Sequence, residues 1–332
     1  MELNQTIYFS LIGLLLFAIE LIYFRVAIRF GIVDKPNSRS SHVKPAIRGG
    51  GIIFVFAILA WSASNHFSLP WFVLGVCAIA IISFLDDVMS LNPTVRFLIQ
   101  LLAISLLFYQ LWPINWPVYL LVLAIIVCIG TLNAFNFMDG INGITGVYAL
   151  VALLSFFYIH TQVVAFTELS FIIVVSISVL VFLFFNFRKR AQCFAGDVGS
   201  VTIAFVLIFL LLQLILATNN FLWPLLFLVY GTDSIVTIIF RIKRKENIFK
   251  PHRTHLFQYL SNELAWPHLT VSLTYGAIQL LFNIVLFFTL SRHQYVVPII
   301  SAAIFIISYL LIRIKIVRHI SKYGSMTGRV SK

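Results

Sequence analysis

Across 332 residues, 61% are hydrophobic, only 10% are charged and the mean hydropathy is +1.02. A soluble domain carries about a quarter charged residues, so a soluble globular fold is excluded and an all-α polytopic integral membrane protein is expected. The net charge of +12 raises nucleic acid as a partner. No nucleic-acid-binding module is visible, however, and basic loops at a membrane edge account for the charge, so the bilayer is the expected partner and no nucleic acid is.

The first apolar run, about residues 7–24, is long enough to span. It lacks a basic leader and continues into Arg25 and Arg29, which reads as a span rather than a cleavable signal. Polar breaks divide the chain into eleven candidate spans near 5–29, 50–66, 69–85, 94–112, 116–135, 143–160, 167–187, 199–217, 221–242, 269–290 and 295–314. The second and third are short, so the expectation is about eleven transmembrane helices, with ten as the smaller count. Of the 23 Lys and Arg, only Arg292 falls in an outer loop. The positive-inside rule then puts the N-terminus outside and the C-terminus in the cytoplasm. With no internal repeat, residues 1–332 form one membrane-embedded domain: a core at about 30–315 and a basic tail at 316–332. Asn92 before Pro93 is a helix-start signature, and the six tryptophans fall at or near proposed interfaces. Cys77 and Cys128 read as small core residues, and Glu20, mid-span, as a neutral or locally bonded carboxyl.

The inner-side segments carry the chemistry. Asp34–His42 runs on to Arg48-Gly49-Gly50-Gly51, where glycines near a helix start let backbone N–H groups approach an anion; a flexible basic linker explains the segment equally well. Asp86-Asp87 closes the third span, where two carboxylates oppose the helix dipole and each other unless a cation compensates. Arg96 and Gln100 follow at i,i+4 spacing. The central stretch Asn133-Ala134-Phe135-Asn136-Phe137-Met138-Asp139-Gly140-Ile141-Asn142-Gly143 sets three asparagines, an aspartate and two glycines between apolar runs. Burying such groups without partners costs several kcal/mol each, so the stretch reads as the lining of a wet cavity, with a plain polar hairpin as the alternative. Gly196-Asp197-Val198-Gly199-Ser200 puts an aspartate at a helix N-terminus, and Arg188-Lys189-Arg190 before it reads as a membrane anchor. His252-Arg253-Thr254-His255 follows a basic run; its two histidines lack the third ligand that zinc needs, and the cluster suits phosphate oxygens better. Asp233 faces the same cavity or pairs with Arg241.

Hard oxygen donors suit Mg²⁺, with Mn²⁺ as a substitute, and the surrounding cations suit a diphosphate. Phosphoryl transfer requires that combination on one face. A transporter, the rival from another class, predicts midplane ionisable groups and inverted repeats.

In order, Asp86-Asp87, Asn133-x-x-Asn136-x-x-Asp139-Gly140-x-Asn142-Gly143, Gly196-Asp197-x-Gly199-Ser200 and His252-Arg253-x-His255 resemble the polyprenyl-phosphate N-acetylhexosaminyl-1-phosphate transferases. Asp34-x-Pro36-Asn37-x-Arg39-Ser40-Ser41-His42 and Arg48-Gly49-Gly50 resemble the branch that starts O-antigen or related polymers, with the muramyl-pentapeptide branch of peptidoglycan synthesis as the alternative. The resemblance covers roughly residues 30–315 and implies a helical bundle in the bacterial inner membrane with cytoplasmic active-site loops. It implies transfer of a sugar 1-phosphate from a UDP-N-acetylhexosamine to undecaprenyl phosphate, releasing UMP, and leaves a homodimer open. Carried over, Asn136 and Asp197 are the Mg²⁺ ligands. Asp86 and Asp87 act at the lipid phosphate or assist the metal, Asp139 and Asn142 lie near the nucleotide, and His252, Arg253 and His255 contact diphosphate or sugar. Arg39, His42, Arg48, Arg96 and Asn133 complete the substrate-binding set. Several relatives have Asp where this chain has Asn142. Phe194, standing where intramembrane aspartyl proteases have the first glycine of their motif, argues against that class.

Overall fold

A computed structural model describes residues 3–34, 45–247, 253–290 and 292–324. The chain is helical: α1 (Leu3–Arg29), α2 (Ile53–Ser64), α3 (Pro70–Met89), α4 (Pro93–Gln110), α5 (Val118–Met138) and α6 (Ile144–Gln162) are followed by α7 (Leu169–Asn186), α8 (Gly196–Thr218) and α9 (Leu228–Lys243). A short α10 (Leu256–Gln258) runs into a π-turn, and α11 (His268–Leu290) and α12 (Val296–Tyr323) close the chain. Among the described residues, 10 helices are long and apolar enough to cross a membrane. The difference from eleven lies in the second expected span. With its opening 3₁₀ turn it covers only Gly50–Ser64; at ~1.5 Å per residue that is roughly 22 Å, short of a ~30 Å hydrocarbon layer.

The bundle is built around α8, whose residues from Val198 to Leu212 are buried throughout. It packs on α3, α5, α6 and α2, while α7 joins α1, α2 and α6. Phe72, Phe171, Phe205 and Phe209 stack where α3, α7 and α8 meet, the Phe72 and Phe209 rings 4.1 Å apart. The outer helices expose long side chains such as Leu98, Leu102, Val122, Ile126, Ile304 and Leu311, as lipid-facing surfaces do. Trp71, Trp112 and Trp266 are exposed, but Trp61 and Trp223 turn inward, their indole N–H groups donating to Ser170 and Thr218. Asn92 caps α4 as expected, its side chain accepting from Thr94 N at 2.9 Å. One polar network inside the bundle is mutually satisfied. Gln279 accepts from Tyr148 and from Val229 N, and donates to Leu225 O and to Asn283, which donates to Ser155.

Three helices run further at the aspartate-bearing end of the bundle than hydropathy suggests. Asp86 and Asp87 lie in the last turn of α3, Asn133 and Asn136 in the last turns of α5, and Asp197 in the first turn of α8. These side chains are therefore held on rigid helix ends rather than on loops.

Candidate active site

The inner ends of α3, α4, α5 and α8 converge with the segment 45–51. Its strand Ala46–Ile47 pairs with Val33–Asp34, and Ile47 also bridges to Cys193. Gly50 N donates to Phe194 O at 2.8 Å and Gly51 N to Ala195 O at 3.1 Å. This corrects one expectation: those two amides are occupied by carbonyls and do not cradle an anion. The glycines serve close packing instead, since a Cβ on Gly51 would collide with the Gly199 backbone. Gly196, at φ +70°, leaves room where a Cβ would meet Asp87 Oδ2 at 2.6 Å.

The aspartate pair is divided between two tasks. Asp87, its side chain 2% exposed, accepts from Asp197 N at 3.0 Å and from Val198 N at 3.1 Å, capping α8 from a neighbouring helix. Arg48 supports it, donating Nη1 to the Asp87 carbonyl at 2.9 Å with Nε 3.6 Å from the carboxylate, and it also reaches Asp34 at 3.9 Å. Asp86 accepts from Leu91 N through Oδ1 and pairs with Arg96 through Oδ2. Arg96 lies between two carboxylates, with Asp197 Oδ2 3.7 Å from the same nitrogen. At 29% exposure Asp197 is the most open of these three aspartates, against 9% for Asp86. Asn136 Nδ2 donates to Asp197 Oδ2 at 3.2 Å, and Ser200 donates to Asn136 Oδ1 at 3.2 Å. Asn133 donates to Gln100 at 3.2 Å, so the i,i+4 pair on α4 and the asparagines on α5 do share one site.

Asp139, just past α5, accepts from Thr145 Oγ1 at 2.7 Å. Burial pushes its carboxyl up to about 7, and the charge of Asp87 adds to the rise. Asn142 is buried and structural in its contacts, donating to the carbonyls of Arg188 and Lys189 and accepting through its own carbonyl from Ser272. It fixes the Arg188-Lys189-Arg190 segment against the 139–143 turn.

Arg39, His42 and His252 lie outside the described residues. Arg253 is half-buried, and His255 is buried with Nδ1 3.0 Å from Asp233 Oδ1. Asp233 therefore pairs with His255, while Arg241 bonds Glu246 and the Asn247 carbonyl. The segment still reaches the site: Phe257 packs on Gly140, where a Cβ would meet its ring at 3.0 Å. The sequence reading passed over Arg313, the first basic residue of the last span, although a cation closing an apolar run was a usable signal. Glu20 is fully buried beneath Gly50, its Oε1 3.8 Å from Cys193 Sγ and its Oε2 without a hydrogen-bond partner.

Among the described residues no group of three or more His, Cys, Asp or Glu is arranged to hold a metal. Mg²⁺ does not require one, because it commonly takes one or two protein oxygens and fills its shell with phosphates and water. Asp197 and Asp86 carry hard oxygen donors of the kind that ion takes, and Asn136, which here turns its Nδ2 to Asp197 and its Oδ1 to Ser200, would add an amide oxygen.

A family model described as glycosyl transferase family 4 matches residues 69–215, which take in α3 to α7 and nearly all of α8. A curated relative from Bacillus subtilis (strain 168), "Probable undecaprenyl-phosphate N-acetylglucosaminyl 1-phosphate transferase", is 28% identical over 258 residues, 71% of either chain. The matched region carries the aspartate pair, the asparagines of α5 and the first turn of α8 in the order the motifs require, and over that stretch the chain is similar to glycosyl transferase family 4.

Proposed function

We propose that this membrane transferase moves N-acetylhexosamine 1-phosphate from a UDP-sugar to undecaprenyl phosphate, releasing UMP, at the inner face of the bacterial cytoplasmic membrane. One observation carries the reading: Asp197 is open to a ligand, with Arg96, Asn136 and Asp86 grouped around it and its backbone fixed by Asp87. In the net reaction the bond between the α- and β-phosphates of the donor breaks, and the β-phosphorus becomes linked to an oxygen of the lipid phosphate. One diphosphate replaces another, so the exchange is nearly balanced and needs no coupling to ATP.

Catalysis is then positioning and charge compensation. Arg96 and Arg48 supply guanidinium donors for non-bridging phosphate oxygens. Asp87 preorganises the first turn of α8, and with it Asp197. Asp139, with a carboxyl near 7, is able to hold or release a proton at neutral pH. Mg²⁺ or Mn²⁺ would be held by Asp197 and Asn136, and when bound would neutralise charge on the diphosphate. The near-total bias of Lys and Arg to one side supports a cytoplasmic site, an outer N-terminus and a cytoplasmic C-terminus, an odd number of crossings that counts the short α2 with the ten longer helices. The lipid-linked product would start O-antigen or a related cell-surface polysaccharide.

The test is reconstitution in vesicles containing undecaprenyl phosphate, with radiolabelled UDP-GlcNAc, UDP-GalNAc and the 6-deoxy amino sugars UDP-FucNAc and UDP-QuiNAc as donors. Lipid-linked label and UMP should form in equal amounts with one of them. Acceptance of UDP-MurNAc-pentapeptide alone, or flux of a donor without UMP release, would overturn the reading.

A further inference from the structure

Apart from the aspartate centre, the described residues hold one other buried charged cluster that joins several helices, and it lies behind the Arg253–Gln258 segment. Asp233 on α9 is fully buried. Its Oδ1 accepts from Leu256 N at 3.2 Å and lies 3.0 Å from His255 Nδ1; its Oδ2 accepts from Tyr275 of α11 at 2.6 Å. Arg313 of α12 stands 3.9 Å from the same carboxylate and donates to Thr237 at 2.8 Å, to Tyr309 at 3.2 Å and to the Thr254 carbonyl at 2.6 Å. Its guanidinium also lies over the rings of Phe240 and Tyr259. Three helices, α9, α11 and α12, thus grip one short stretch of chain at Thr254, His255, Leu256 and Tyr259.

The carboxylate faces donors on every side, so the proton on His255 Nδ1 points to Asp233 and the imidazole is fixed in one tautomer and one orientation. A buried ion pair is a poor source of stability, and apolar residues of similar size would join α9, α11 and α12 as well. What apolar packing would not do is hold the backbone of residues 254–256 at a set height. Phe257, the next residue, lies on Gly140, beside Asp139.

We propose that Asp233, Arg313 and Tyr275 are positioning residues that clamp the Arg253–Gln258 segment against the Asp139–Gly143 turn, and so set the geometry in which the segment meets the nucleotide-sugar diphosphate. The role in donor binding rests on the transferase reading above; the clamp itself does not. None of the three touches substrate; each acts through the segment it holds.

The test uses full-length protein in detergent and in undecaprenyl-phosphate vesicles, comparing Arg313→Met, Arg313→Lys and Tyr275→Phe with the unaltered chain. Hydrogen exchange read by mass spectrometry should quicken about 10-fold for amides 254–261 in Arg313→Met while α8 keeps its protection. Steady-state kinetics should show the donor KM rising roughly 10-fold with the KM for undecaprenyl phosphate changed less than about twofold. Arg313→Lys should recover part of both effects, and Tyr275→Phe, which removes only a hydroxyl, should fold and show a smaller shift of the same sign. Unchanged exchange at 254–261 would overturn the clamp. Equal loss of protection in α8, or equal rises in both KM values, would overturn the specific role and leave a general stabilising one. If the unaltered chain transfers no sugar phosphate, the transferase reading fails, while the exchange experiment still judges the clamp.

Discussion

Replacing Asp87 by Asn separates a residue that holds the site from one that meets the substrate. In the native structure both carboxylate oxygens accept backbone N–H groups from the start of α8, those of Asp197 and Val198. Asparagine keeps one acceptor and turns an NH₂ toward the other amide, leaving a buried donor unsatisfied at a cost of ~1–3 kcal/mol. Arg48 loses one of its two counter-charges as well, keeping Asp34, but that side chain is 41% exposed, so screening holds this part to less than about 1 kcal/mol. The first turn of α8 then shifts, and a displacement of about 1 Å at Asp197 is enough to lower turnover roughly 10²-fold. Asp86→Asn behaves differently. It keeps the acceptor for Leu91 N and loses only the charge opposite Arg96, so turnover should fall by a similar ~10²-fold with a smaller loss of stability. The assays are UMP release at saturating substrates and the thermal midpoint of each purified variant. If Asp87→Asn retains the native midpoint while its turnover falls as far as that of Asp86→Asn, Asp87 acts on the substrate directly and the capping argument is wrong.

EDTA should abolish transfer and Mg²⁺ restore it; full activity in chelator would remove Asp197 and Asn136 as metal ligands. Asp139 gives a pH dependence of stability: with its carboxyl raised from 3.8 to about 7, the folded state binds more protons between those values, so stability is greatest at the acid end and falls as pH rises through that window. The thermal midpoint of Asp139→Asn should lack that component, and parallel curves for the two proteins would contradict it. Gly199→Ala sets a methyl group 2.6 Å from the Gly51 Cα and should give poorly folded protein on size-exclusion chromatography, whereas Gly130→Ala, which meets nothing within 4 Å, should not. Arg253→Ala should raise the donor KM and lower kcat/KM by roughly 10–100-fold with the lipid KM unmoved, as expected for one charge-assisted hydrogen bond; a rise in the lipid KM alone would exchange the two phosphate sites.

The helices were legible because lipid-facing and core-facing surfaces are both apolar, so hydropathy marks them without reference to tertiary packing. The same insensitivity hid their inner ends. Asp86, Asn136 and Asp197 lower local hydropathy and read as loop, yet helical hydrogen bonding carries on through them. The scarcity of aspartate in an apolar chain pointed to Asp86, Asp87, Asp139 and Asp197, because an acid in this setting needs a partner or a purpose. It did not reveal which acids had partners. The capping of α8 by Asp87 joins residues 110 apart in sequence, and the grip of Arg313 on Thr254 spans 59. No local pattern reports such contacts. The glycines at 49–51 show the opposite case: composition suggested an anion cradle, and close packing is what requires them, Gly49 against the Tyr23 hydroxyl, Gly50 against Cys193 and Gly51 against the Gly199 backbone.

The distribution of charge between the two polar clusters bears on what the active site must recruit. Asp233 is closed: one carboxylate meets Arg313, His255 and hydroxyl and amide donors, with nothing left to bind. At the other cluster, Asp86, Asp87 and Asp197 share the two guanidiniums of Arg96 and Arg48, and Arg48 also faces Asp34. Asp139 adds a carboxyl that is half ionised at a pH of about 7. Such a site carries an excess of acid over base among these contacts before any substrate arrives, and each substrate brings further negative charge. Two phosphate groups cannot approach one another across four carboxyl groups unless positive charge enters with them. A divalent ion bound jointly by the most open aspartate and by the phosphates meets that need without adding a basic side chain that would close the site as Arg313 closes Asp233. The acid excess is thus a reason, separate from the identity of the ligands, to expect metal and donor to bind together, with the donor KM falling as Mg²⁺ rises and the structure of α8 unchanged.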